Sequence, residues 1–372
     1  MDLVADMLHD RLQREHSGAF EASLVRPPFR RRATALPGVR KWSRAMMLDR
    51  LANRMWDYPH MMASIAGSFD LFHIVDHSYG QLVHRLPAGR TVVTCHDTDT
   101  FRSVLEPELD PRNPAFRAMT RRILDGVRAA GHVACDSEAT RAALVEKAGI
   151  PEDRTSVVHN GPHPGCSPEP EPSADRDAAR LLGPPGASID LLHVGSPIPR
   201  KRIDLLLRVF AAVRRYVPLA RLVRAGGPLT GSQRALARDL GVAGEVLTLP
   251  VLDRSTLAAV YRRSALLLLP SEREGFGLPI LEALASGTPV VASDIDVFRE
   301  VGGFAISYCA IDDVEAWRST VVRLLGEREH SPAQWSLRRE AGSRRAAAFS
   351  WSHYGRQVAC IYQRIAAGER AC

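Results

Sequence analysis

Short apolar runs recur along this chain at residues 71–75, 91–95, 132–135 and 156–159, and again at 191–194, 221–224, 246–249, 266–269 and 290–292. Runs of that length, bounded by turn residues, read as strands buried on both faces. Between them lie stretches with helical periodicity, such as 203–216 and the terminal 351–365. Strand alternating with helix predicts an α/β fold with mainly parallel sheets covered on both sides. The alternation breaks at 161–172, where repeated prolines interrupt regular structure. Two Rossmann-like domains are therefore expected, at 1–165 and 186–348, with a linker at 166–185 and a closing helix at 349–372. Such domains bind ligands at the carboxyl ends of their strands.

Two loops at predicted strand ends carry chemistry. The first runs from Gly195 to Lys201, and its Arg200 offers a planar donor fork for phosphate beside the compact charge of Lys201. With Arg202 these make three cations at a helix start, which opposes the helix dipole unless an anion binds there. The second loop, after 266–269, holds Glu274, Gly275, Phe276, Gly277 and Leu278, then Pro279 at the first helical position and Gly287 just past the last turn. Glu282 lies one turn inside, its side chain leaning back towards the helix N-terminus. Two carboxylates around an anion-binding helix start suit a ligand with phosphates and vicinal hydroxyls, as in a nucleotide sugar. A bland reading, in which an acid relieves the helix dipole, covers Glu282 alone.

The Glu274-x7-Glu282 spacing around Gly275 and Gly277 resembles the signature of GT-B glycosyltransferases of family 4, the large retaining group. Other segments resemble that family in the same order. Thr94 to Asp97 is similar to the strand end that carries its active-site histidine, here His96. The segments 133–141 and 157–161 are similar to the last pieces of its first domain. Residues 191–204 resemble its diphosphate-gripping loop, and Phe349 to Trp351 the start of its last helix. The likeness runs from about residue 69 to the end. It implies two domains facing across a cleft, a last helix returning to the first domain, a donor site on the second domain and an acceptor site on the first. By the same likeness Gly195, Arg200, Lys201, Glu274, Gly275, Phe276, Gly277, Leu278 and Glu282 hold the donor. Glu282 takes the ribose hydroxyls, Glu274 the sugar hydroxyls, and His96, Glu274, Arg200 and Lys201 act in catalysis. His77, after the neighbouring strand, is expected to face the acceptor. The family opens with a strand and a glycine loop, whereas residues 1–12 here read as the helix after that loop. The first strand and its glycines are thus expected to be missing.

Composition narrows the partners. The 372 residues carry 45% hydrophobic and 24% charged positions, as in ordinary globular proteins. Six cysteines show no C-x-x-C spacing, which favours reduced thiols and a cytoplasmic setting. No apolar run approaches the roughly 18–20 residues that span a bilayer. The net charge of +7 is concentrated early, at Arg26, Arg30, Arg31, Arg32, Arg40, Lys41, Arg44, Arg50 and Arg54, interleaved with Trp42, Met46, Met47 and Trp56. That mixture reads as peripheral contact with the anionic inner face of a membrane, or as a solvated basic loop or an acceptor-site rim. Arg44 and Asp49 both fall on the apolar arc and weaken the amphipathic pattern. Nucleic acid is excluded because no recognition motif accompanies the charge.

The resulting expectation is transfer of a sugar from a UDP- or GDP-sugar to a glycan, lipid-linked or small-molecule acceptor, with retention. No cofactor is expected. Asp97 with Asp99, and Asp294 with Asp296, spell D-x-D, a metal motif, but Arg200 and Lys201 already supply cationic charge, so no metal is expected. A sugar-nucleotide epimerase, a phosphorylase and a non-catalytic binding subunit remain as alternatives on the same fold. NAD chemistry is disfavoured, since no G-x-G-x-x-G follows a predicted strand.

Overall fold

The computed structural model describes residues 2–36, 43–184 and 186–368. The chain divides into two compact units, one holding the residues up to Asn160 with the helix Trp351–Ala367, the other running from Gly161 to Ser350.

The first unit is built on a parallel sheet of β1 (Phe72–Ile74), β2 (Thr91–Cys95), β3 (His132–Cys135) and β4 (Thr155–Val157), in that spatial order. Val93 lies opposite Val133 in the β2–β3 register. Both pack with Ile123, Leu124 and Val127 of the helix Pro114–Ala129. That helix starts where Asn113 caps the Phe116 N–H and Pro114 occupies the first turn, which needs no donor. The helix Trp351–Ala367 packs on β3 and on the helix Asp2–Glu15. Its Tyr362 hydroxyl meets His73 Nδ1 at 2.6 Å. The last helix is thus a structural part of the first unit.

The second unit holds β5 (Ile189–Val194), β6 (Ala220–Ala225), β7 (Val246–Thr248), β8 (Leu266–Leu269), β9 (Val290–Ser293) and β10 (Ser307–Cys309). Their spatial order is β10-β9-β8-β5-β6-β7, all parallel. The chain runs outward from β5 through β6 to β7, then returns to the other side of β5 at β8. The strand order therefore reverses between β5 and β8, the point at which sheets of this kind bind ligands outside their strands' carboxyl ends. The apolar face of Ile203–Arg214, including Leu206 and Phe210, packs with Trp317 and Val321 of Val314–His330 and with Leu191, Leu222 and Leu266 of the sheet.

Two features depart from the sequence reading. β10 was not expected, because Ser307, Tyr308 and Cys309 form no apolar run; it is a short edge strand, held by pairing with β9. Residues 166–185 are not uniform linker, since they contain the helix Pro172–Leu182. Pro172 sits in its first turn, Glu171 caps the Ser173 and Ala174 N–H groups, and Ala174, Ala178 and Leu182 are buried. A proline at that position starts a helix instead of barring one. Cys95, Cys135, Cys166, Cys309 and Cys360 are free thiols. Among the described residues no helix is long and apolar enough to cross a membrane.

Candidate active site

The two chemistry-bearing loops meet at the β5–β8 switch point. The loop after β5 begins at Gly195, whose N–H bonds the Ala225 carbonyl at 2.8 Å. Gly226, at φ 119°, lies so close that a Cβ there would sit 2.5 Å from the Gly195 oxygen. Only glycine satisfies both constraints. The loop tightens into the turn Pro199–Lys201, and the Glu272 N–H from the loop after β8 bonds the Arg200 carbonyl at 2.8 Å.

That contact brings Arg200, Lys201 and Glu274 together. Arg200 Nη1 donates to Glu274 Oε2 at 3.0 Å and to the Arg273 carbonyl at 2.8 Å. Lys201 Nζ donates to the other carboxylate oxygen, Oε1. All three side chains are largely buried. Arg202, the one residue of this turn in a left-handed conformation (φ 47°), pairs with Asp204 at 3.0 Å and Asp312 at 2.5 Å. The uncompensated triple cation expected at this helix start is therefore not what the fold contains. Glu274, Asp204 and Asp312 neutralise it, and Glu274 competes for the donors that Arg200 and Lys201 offer an anion.

Gly277, at φ 99°, lets the chain turn into the helix Leu278–Ala285, and a Cβ there would lie 3.0 Å from the Phe298 ring. Gly275 and Phe276 are buried, the Phe276 ring lying edge-on to Phe349 with centroids 6.1 Å apart. Leu278 is the first helical residue and is half-buried. Pro279 follows in the same turn, and Gly287 closes the helix at φ 73°. Glu282 is buried one turn in, where the Tyr261 hydroxyl donates to its Oε2 at 3.0 Å. Burial raises its carboxyl to about 7, with the Tyr261 bond and the Arg254 charge opposing. Cys166 lies close by, and burial pushes its thiol up to about 12, so it stays an unreactive thiol near neutral pH.

In the first unit His96 follows β2 and is held at both nitrogens, by Asp136 Oδ2 at 2.7 Å on Nδ1 and the Val75 carbonyl at 2.8 Å on Nε2. Both partners accept, so both nitrogens donate, which describes an imidazolium. Burial alone would lower its pKa, but the Asp136 charge, the bond to it and the Val75 carbonyl outweigh burial, and the net shift is upward. His77 is 2% exposed. Its Nδ1 accepts the His96 N–H at 3.2 Å and its Nε2 meets Thr100 Oγ1 at 3.0 Å. The sequence reading turned His77 towards an acceptor; in the fold its ring supports the His96 backbone, and burial lowers its pKa.

The two D-x-D pairs have local partners. Asp97 Oδ1 accepts the Asp99 N–H at 3.1 Å, and Asp294 takes a two-bond contact from Arg299. Among the described residues no cluster of three metal-ligating side chains occurs.

Sequence reasoning missed a polar pair inside the sheet. His193 on β5 and Arg224 on β6 are register partners, and both are fully buried. Arg224 has no carboxylate partner among the described residues. Its Nη2 donates to the Gly195 carbonyl at 3.0 Å, fastening the cationic loop from behind. Burial lowers it to about 10, still charged at neutral pH. Polar residues interrupting two apolar runs were the available signal.

Residues 9–164 match the family model described as Glycosyltransferase Family 4, and residues 178–331 that described as Glycosyl transferases group 1. The chain is 31% identical over 318 residues to the D-inositol 3-phosphate glycosyltransferase of Mycolicibacterium smegmatis, covering 82% of this chain and 69% of that protein. This chain belongs to glycosyltransferase family 4. Its GT-B fold is shared with WaaG, a glycosyltransferase involved in lipopolysaccharide biosynthesis. That match has a TM-score of 0.70 at 16% identity, over 96% of this chain and 95% of that one. The Anabaena protein HepE, solved with UDP and glucose, matches at a TM-score of 0.67 and 18% identity, over 84% and 82%. The Arg200–Lys201–Glu274 cluster thus lies at the strand-order reversal of a family 4 glycosyltransferase fold.

Proposed function

We propose that this protein transfers a sugar from a UDP- or GDP-sugar to a hydroxyl acceptor with retention of configuration, without a metal ion. The observation that carries the reading is the convergence of Arg200, Lys201 and Glu274 at the β5–β8 switch point. Two cations held there by backbone and carboxylate contacts suit a diphosphate leaving group. Glu282, buried beside Tyr261, suits the ribose hydroxyls. The names of the mycobacterial relatives make a phosphorylated polyol the first acceptor to test, ahead of glycans and lipid-linked sugars.

The step is a same-face substitution. The acceptor oxygen bonds to the anomeric carbon as the bond from that carbon to the β-phosphate oxygen breaks. The electron pair stays on the diphosphate, whose departing oxygen takes the acceptor's proton. Arg200 and Lys201 stabilise the charge that develops there. Glu274 passes from the cations to the sugar hydroxyls. His96, with both nitrogens occupied, contributes a fixed positive charge and a positioned backbone, not proton transfer.

The test is incubation with labelled UDP- and GDP-sugars and an acceptor panel headed by inositol phosphates, with and without excess EDTA. Turnover insensitive to EDTA, giving a product of the donor's anomeric configuration, is the expected result. Loss of turnover with EDTA and recovery with Mn²⁺ overturns the metal-free mechanism. An inverted product overturns the same-face step. Altered free nucleotide sugar assigns an epimerase, and binding without turnover assigns a binding subunit.

A further inference from the structure

The segment 43–57, made of the helix Ser43–Ala52 and a π turn at Asn53–Asp57, is amphipathic with its faces reversed, whereas the helix Tyr58–Ile65 after it buries Met62 in the core. Its inward stripe is polar. Asp49 and Asn53 are 1% exposed, and Asp57 is buried as well. Asp49 accepts the N–H groups of Arg32, Ala33 and Thr34 at 2.8–3.0 Å and the Thr34 hydroxyl at 2.5 Å. Asn53 exchanges two 2.7 Å bonds with the Arg30 backbone, and Asp57 takes both terminal nitrogens of Arg32 at 2.5 and 2.6 Å. The helix therefore clamps residues 30–34 with a fully used polar face. The Asp49 that spoiled the outward apolar pattern in the sequence points inward.

The outward stripe is apolar. Met47 is 70% exposed, Leu48 59%, Leu51 44% and Trp56 65%. A solvated helix normally presents the opposite arrangement. The charges on this exposed side are cationic: Arg44 and Arg50 are exposed and make no ion pair among the described residues, as does Arg31 nearby in sequence. Both acids of the segment 43–57 are turned inward. Arg40, Lys41 and Trp42, counted in the sequence pattern, lie outside the described residues.

We infer that this face docks on an anionic lipid surface, with Met47, Leu48, Leu51 and Trp56 entering the interfacial layer and Arg44 and Arg50 meeting the headgroups. Apolar side chains ringed by unpaired arginines match a lipid–water boundary in both hydropathy and charge. A second copy of the chain fits less well, because a two-fold contact would set this cationic face against itself. The inference does not depend on the sugar-transfer reading.

The test is flotation of the whole protein with vesicles of phosphatidylcholine alone or with 30% phosphatidylglycerol, alongside Leu51→Ser/Trp56→Ser and Arg44→Glu/Arg50→Glu variants. Nucleotide binding and melting temperature serve as controls. Wild type should bind the anionic vesicles at least about tenfold better than the neutral ones, and weaken with salt. Each variant should lose at least about tenfold in vesicle affinity with controls unchanged, since every altered side chain is exposed. Absence of binding to anionic vesicles, or equal binding by wild type and variants, overturns the proposal. So does a wild-type dimer in sedimentation that Leu51→Ser/Trp56→Ser dissolves, because the face would then be an interface between copies.

Discussion

Glu274 accepts a hydrogen bond from Arg200 at 3.0 Å across 74 positions of sequence, so a carboxylate occupies the place where a phosphate is expected to bind. Each charge-assisted bond of this kind contributes about 1.5–3 kcal/mol. Glu274→Gln removes the competing charge but keeps the side-chain shape. Free UDP or GDP should bind the variant about tenfold more tightly, a gain of about 1.4 kcal/mol. Turnover should fall, because the carboxylate is then missing from the sugar hydroxyls. Calorimetric titration beside steady-state kinetics checks both halves. Weaker nucleotide binding by the variant contradicts the displacement account.

Arg200→Ala with Lys201→Ala should weaken nucleotide diphosphate binding at least about tenfold. It should also lower the melting temperature, since Glu274 is left in a largely buried site without its cations. Adding Glu274→Gln to the pair should restore the melting temperature but not the binding. If both properties recover together, the cations act on the fold and not on the ligand.

Glu282 links nucleotide binding to pH. Its folded pKa, about 7, is raised from 4.5, so its contribution to stability is fully present below pH 4.5 and is lost as pH rises through 7. Glu282→Gln should therefore stabilise the protein at pH 8 by about 3 kcal/mol and have little effect at pH 4.5. Ribose hydroxyls bonded to an ionised carboxylate require proton release. Wild-type affinity for UDP should accordingly rise up to pH 7 and level off, while the variant is flat. Parallel pH profiles for the two proteins would remove Glu282 from the ribose site.

The Asp136 carboxylate favours the charged form of His96 and raises its pKa against the opposing effect of burial. A histidine whose folded pKa is raised contributes stability that is present below its ordinary value near 6.5 and lost as pH rises through the raised value. Asp136→Asn should thus destabilise the protein more at pH 6 than at pH 9, and NMR titration should show the His96 pKa falling. An equal loss of melting temperature at both pH values points to a packing role for Asp136.

Much of this protein was legible before folding, for local reasons. The apolar runs that became β2, β3 and β8 appear with the limits read from the sequence, because a strand buried on both faces needs an uninterrupted apolar segment. Pro279 marked the start of its helix because its fixed φ suits a first turn, and Gly287 marked the end because it adopts a positive φ that glycine tolerates best. Arg200, Lys201, Glu274 and Glu282 were recognisable as residue types beside strand ends. What sequence could not assign was partnership. Glu274 faces Arg200 and Lys201 because β5 and β8 are neighbours, an adjacency made by strand order. Asp49 turns inward because residues 30–34 offer it four donors, and Glu282 meets Tyr261 through the packing of two helices. Periodicity and turn chemistry act over a few residues and can be read from the chain. Pairing of charges and burial of polar groups depend on which distant segments arrive at the same place, and only the tertiary structure decides that.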